Sequence, residues 1–147
     1  MASFTGVPHR LESVITLQGV DYVNDSKATN IDSVKVALDS FNKSIILILG
    51  GQYKGGDFKE LLPHANNIKT VLAYGQAHQI IETALGDAVR LYTFNSLKDA
   101  VSKSHSLASP GDIVLLSPGC ASFDQFDSFE HRGDLFKQWV SQLEEQK

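Results

Sequence analysis

Ile45-Ile46-Leu47-Ile48-Leu49-Gly50-Gly51 is an uninterrupted apolar run that stops at a pair of glycines. It has no polar alternation, so a strand built from it must be covered on both faces, as in a parallel sheet with helices on either side. Val71 to Tyr74 and Ile113 to Leu116 repeat the pattern. Around these runs apolar residues recur at helical spacing: Val34, Ala37, Leu38 and Phe41; Ile80, Ile81, Ala84 and Leu85; Leu97, Ala100, Val101, Ser104 and Ala108. A last helix is predicted from Phe129 to Leu143, with Leu135, Phe136, Trp139, Val140 and Leu143 as its buried stripe and Trp139 as core rather than cofactor platform. Ser96 and Asp99 have capping-box spacing, and Pro110-Gly111 turns the chain into the third run. Upstream, Leu11 to Leu17 and Val20 to Asn24 flank Gln18-Gly19, which predicts a hairpin whose first strand is an edge. The expected fold is therefore α/β: a Rossmann-like, mainly parallel sheet with helices on both faces and an N-terminal β-hairpin at one edge.

The 147 residues, 42% hydrophobic and 20% charged, suffice for one compact domain and not for a second. A net charge of -4, with no long basic run, argues against a nucleic-acid partner. The longest apolar run is far short of the ~20 residues a membrane span needs, and no signal-peptide pattern opens the chain. Lone Cys120 cannot form an internal disulfide, in keeping with a reducing, cytoplasmic setting. Residues 1 to 8 lack periodicity and read as an interdomain linker remnant or a cloning scar, leaving 9 to 147 as the domain.

Open α/β sheets bind ligands beyond the carboxyl ends of their strands, and this chain places polar or small residues there. Asn24-Asp25-Ser26-Lys27-Ala28-Thr29-Asn30 follows the hairpin and brings together a carboxylate, an ammonium, hydroxyls and amides. Its residues either converge on a ligand or cap the next helix. Gly50-Gly51-Gln52-Tyr53-Lys54-Gly55-Gly56 offers an ammonium among glycines, without the G-x-x-x-x-G-K-[ST] pattern of a triphosphate cradle. Ser117-Pro118-Gly119-Cys120-Ala121-Ser122-Phe123 leads through small residues toward the last helix, where Ser122 is a candidate anion-binding hydroxyl, and Ser122 or Ser128 a candidate N-cap. Arg10 can pair with a phosphate or stack on a base, and Asp25 can accept from ribose hydroxyls. The five histidines show no metal-ligand spacing, so no metal site is expected, and Cys120 has no evident base beside it.

Together, Asn24 to Asn30, Ser117 to Phe126 and Phe129-Glu130-His131-Arg132-Gly133 resemble the C-terminal domain of the Mur ligases, in the branch that adds D-glutamate. Sister ligases and folylpolyglutamate synthases carry D-Y-A-H-T-P-like or D-G-A-H-N-P-like sequences where this chain has Asp25 to Asn30, and no D-N-P-R motif appears. The resemblance implies an ATP- and Mg²⁺-dependent amide-bond ligase of peptidoglycan synthesis. The carboxylate of UDP-N-acetylmuramoyl-L-alanine becomes an acyl phosphate at the expense of ATP, and the amine of D-glutamate displaces the phosphate. It further implies that Lys27, Thr29, Lys54, Ser122, Phe123 and Phe129 hold D-glutamate, that Lys27 is catalytic, and that Arg10 and Asp25 touch the base and ribose of ATP. The UDP-binding and ATP-binding domains of that family have no counterpart here, so this piece alone is expected neither to catalyse nor to hold ATP tightly. Tyr53 is bulkier than the pattern leads one to expect beside Lys54. A free-standing Rossmann-like small-molecule module, or a sister ligase for another amino acid, are the alternative readings.

Overall fold

The computed structural model describes residues 8–143. Along the chain run β1 (Glu12–Leu17), β2 (Val20–Asn24), α1 (Ile31–Asp39), β3 (Ile45–Gly50), a 3-10 helix (Phe58–Asn67) and β4 (Ile68–Tyr74). They are followed by α2 (His78–Leu85), β5 (Leu91–Phe94), α3 (Leu97–Leu107), β6 (Ile113–Leu116) and α4 (Phe129–Leu143). The strands form one sheet in the order β1-β2-β6-β3-β4-β5. The β1–β2 hairpin is antiparallel and every other pairing is parallel. Gln18 and Gly19 both take positive φ in its turn, the conformation that a tight two-residue hairpin loop demands.

Alternation along the central strands divides the core in two. Ile45, Leu47 and Leu49 of β3 pack with Val34, Ala37 and Leu38 of α1, Phe58 and Leu61 of the 3-10 helix, and Ile81 and Leu85 of α2. Ile46 and Ile48 face the other way, onto Leu97, Ala100 and Val101 of α3 and Phe136 and Val140 of α4. All of β3 is buried, as its unbroken apolar run requires. The chain leaves β3 toward one face and β6 toward the other. These neighbours therefore form a topological switch point, with a crevice opening at their carboxyl ends. Among the described residues no helix is long and apolar enough to cross a membrane.

Three local expectations need correction. Ile80 is on α2 as predicted, but it is 40% exposed, because the helix turns Ile81 and Leu85 to the core instead. Phe41 lies beyond the end of α1, which stops at Asp39. Leu135 and Trp139 are half-buried at the edge of the stripe that Phe136, Val140 and Leu143 complete. The linker reading of residues 1 to 8 falls almost wholly outside the described residues.

Candidate functional site at the carboxyl ends of the strands

The loop after β2 is held from all sides. Asn24 is fully buried, and its amide oxygen accepts from Ser26 N–H at 3.1 Å. Its NH₂ therefore faces Nδ1 of His9 and Oε1 of Glu12, each at 3.0 Å. Both are acceptors, so neutral His9 carries its proton on Nε2, 3.6 Å from Asp134. Asp25 is buried as well. Its Oδ1 accepts from Leu11 N–H at 3.0 Å and its Oδ2 from the Ser117 hydroxyl at 3.0 Å. Desolvation pushes its carboxyl up to about 6, against the pull of those two bonds and of the Arg10 charge. Asn30 is the cap of this segment: its side chain accepts from Ser33 N–H at 2.9 Å and starts α1.

Three more loops meet this one. Gly119 N–H donates to Ala28 O, joining the β6 loop to the β2 loop, and Gln52 pairs with Ala121 in an isolated bridge that joins β3 to β6. Gly51 bonds the carbonyl of Tyr74, and Gln76 N–H donates to Asp124, which brings in the β4 loop. Gly51 has a positive φ, and a Cβ there would lie 2.4 Å from Ala121 O, so this crossing admits only glycine.

At the meeting point lies Arg132, on the first turn of α4 and 0% exposed. Its Nε donates to the Ser26 hydroxyl at 2.9 Å, one terminal nitrogen to Ser26 O at 2.8 Å and the other to Cys120 O at 3.0 Å. The Ser26 hydroxyl in turn donates to Phe129 O at 2.7 Å. Burial pushes the Cys120 thiol up to about 12, with Arg132 and Lys54 pulling it down and Asp124 adding to the rise. A buried thiol held in its protonated form is a poor nucleophile.

A cavity of about 300 Å³ is lined by Arg10, Leu11, Asp25, Lys27, Ala28, Ser33, Val36 and Ala37. It gathers the two residues expected to touch ATP together with the expected catalytic lysine. Lys54, Ser122, Phe123 and Phe129 do not line it. Lys54 is exposed on the neighbouring β3 loop, within electrostatic reach of Cys120, and Thr29 is half-buried at the foot of α1. Ser122 is buried, Phe123 is 67% exposed, and Phe129 stands edge-on to His9 with ring centroids 6.1 Å apart. Ser122, the candidate anion-binding hydroxyl, does not lie at a helix start. α4 begins only at Phe129, and Ser128 is its cap, accepting from His131 N–H at 3.0 Å. Ser122 instead closes a turn, its carbonyl accepting from Gln125 and Phe126. The bulk of Tyr53 is also accounted for, since its hydroxyl bonds Gly56 O at 2.7 Å and its ring leans on Phe58. Sequence reading gave no individual role to Arg132, Ser117, His9 or Asp124. A charged residue on an amphipathic helix reads as solvent-facing, and only the three small or polar groups it meets, scattered over a hundred positions, reveal otherwise.

The chain matches the family described as Mur ligase, glutamate ligase domain, over residues 9–120. It is 46% identical over 145 residues to the UDP-N-acetylmuramoylalanine--D-glutamate ligase of Chlamydia caviae, covering 98% of this chain and 35% of that protein. The ligase of the same name from Myxococcus xanthus is 47% identical over 141 residues, covering 95% of this chain and 31% of the relative. The chain thus spans about a third of the length of the curated relatives it matches. In fold it is similar to UDP-N-acetylmuramate-alanine ligase MurC of Thermotoga maritima, with a TM-score of 0.67 at 12% identity, over 97% of this chain and 31% of that one. It is likewise similar to MurF ligase of the same organism, solved with ADP, with a TM-score of 0.65 at 16% identity, over 97% of this chain and 33% of that one.

Proposed function

This chain belongs to the Mur ligase family, as its glutamate ligase domain, and on that premise we propose that it is the amino-acid-binding part of an ATP-dependent amide-bond ligase that adds D-glutamate to UDP-N-acetylmuramoyl-L-alanine. Lys27 and Lys54 face the two carboxylates, with Ser122 and Thr29 adding hydroxyls and Phe123 and Phe129 covering the aliphatic chain. Two ammonium groups match a diacid in charge, and their strand-end loops approach it from different sides. Lys27 also lines the cavity that Arg10 and Asp25 share, and its charge opposes the negative charge that develops on the reacting carboxylate.

When bound, ATP supplies the phosphoryl group that activates the acceptor carboxylate. The residues present fit its sugar and base: Arg10 offers a planar cation, and each Asp25 oxygen, already accepting one hydrogen bond, keeps a second lone pair for a ribose hydroxyl. On this reading the Mg²⁺ ligands lie in the remainder of the ligase; separately, the described residues hold no group of three or more His, Cys, Asp or Glu placed to bind a metal.

The observation that carries this reading is the hydrogen-bonded meeting of the β2, β3 and β6 loops, the first of which lines a cavity with Asp25 and Lys27. In the full-length ligase containing this chain, Lys27→Ala and Lys54→Ala should each weaken D-glutamate use by about 10- to 100-fold, the value of a charge-assisted contact, with unchanged circular dichroism. Wild-type kinetics in both variants would remove the assignment. Offering L-glutamate and L-lysine in parallel tests the alternative of a sister ligase, which would make product with one of these in preference.

A further inference from the structure

We propose that Arg132 is a positioning residue for the amino-acid site, its guanidinium fixing the β2 loop that carries Lys27 against the β6 loop that carries Ser122. The proposal rests on the D-glutamate reading above and adds to it a residue that touches no substrate.

A guanidinium with no exposed surface is costly to bury, and such groups are ordinarily paired with a carboxylate. Among the described residues Arg132 is in no ion pair, and its bonds run to a hydroxyl and two main-chain carbonyls. Two of them form a fork on Ser26, the residue before Lys27, and the third reaches Cys120, two residues before Ser122. The position where Gly51 lacks a Cβ is 3.2 Å from a terminal nitrogen of the same group. One planar cation thus spans three strand ends. An apolar residue of similar volume would fill the space without tying the loops together.

Asp25, on the nucleotide side, has side-chain anchors of its own. Asp25 is held by Leu11 N–H and the Ser117 hydroxyl, with no bond to Arg132. Loosening the guanidinium should therefore displace the amino-acid site while leaving the site for ATP in place, a split that general destabilisation does not produce.

The experiment is steady-state kinetics on the full-length ligase with Arg132→Lys, Arg132→Met and Ser26→Ala. Lysine keeps the charge and loses the fork, methionine loses both, and Ser26→Ala leaves the arginine and removes one acceptor. KM for D-glutamate is expected to rise about tenfold in Arg132→Lys, further in Arg132→Met and about threefold in Ser26→Ala, with KM for ATP within twofold of wild type. Should the arginine variants fail to fold, Ser26→Ala decides alone. Unchanged KM for D-glutamate in a folded variant, or a parallel rise for both substrates, overturns the positioning role. A wild-type ligase that does not use D-glutamate overturns the functional reading itself, and the two failures are separated by the wild-type lane.

Discussion

Two lysine loops flank the crevice, and they are built on opposite plans. The loop bearing Lys27 is anchored at almost every residue: Asn24, Asp25 and Ser26 are buried and bonded, Lys27 N–H donates to His9 O, and Ala28 is tied to both Asp25 and Gly119. The loop bearing Lys54 is exposed from Tyr53 to Asp57. It is closed by Tyr53, through Gln76 at one end and Gly56 at the other, and Gly55 has positive φ with no atom near its missing Cβ. The backbone beneath one ammonium is fixed before any substrate arrives, whereas ordering the other loop must cost conformational entropy on binding. On the proposed D-glutamate reading, the rigid loop suits the lysine assigned to the chemistry and the open loop suits a clamp on the far carboxylate.

The contrast can be broken most forcefully at Asn24. Asn24→Ala strips the amide that His9, Glu12 and Ser26 share in the core, and should cost about 3–5 kcal/mol in denaturant unfolding. A loss below about 1 kcal/mol would mean that the β2 loop is no firmer than its neighbour. Asp25 sharpens the comparison through pH. Its folded-state carboxyl lies near 6 instead of the ordinary 3.8, so the protonated form is favoured by folding, and that stabilisation is complete below 3.8 and lost as pH rises through about 6. Between those limits wild type should lose up to about 3 kcal/mol relative to Asp25→Asn. Parallel stability curves for the two proteins would show that the carboxylate is not desolvated. The smallest effect belongs to the open loop: Tyr53→Phe removes one exposed bond, should cost about 1 kcal/mol or less, and should raise KM for D-glutamate only about twofold.

What was legible from sequence depended on whether a signal was local. The run at Ile45, the hairpin turn at Gln18-Gly19, the Ser96 cap on α3 and the bounds of α4 all rest on neighbouring residues, and each appears where its pattern places it. β5 escaped because four half-exposed or exposed residues at a sheet edge offer neither an apolar run nor a clear alternation. The Phe58–Asn67 segment escaped because a 3-10 path, with Pro63 inside it, does not show a 3.6-residue stripe. At the site, Lys27, Asp25 and Arg10 share a cavity as their positions at strand ends imply. Arg132 could not be read this way, because its partners Ser26 and Cys120 lie 106 and 12 positions away. Ser122 stands off the helix start for a similar reason: a turn closed by its carbonyl lies between it and Phe129, where the helix begins as predicted.

Gly133 lies on α4 where a Cβ would collide with the His9 ring, 2.1 Å from Nδ1. The last helix thus has a notch cut in its flank into which His9 is keyed, and that same ring touches Asn24 and stands edge-on to Phe129. A torque applied to the backbone at residue 9 would be passed straight to the helix and to the lysine-bearing loop. A displacement at residue 9 would then reach the loop proposed to meet the amino acid, with the glycine acting as the keyway of the joint.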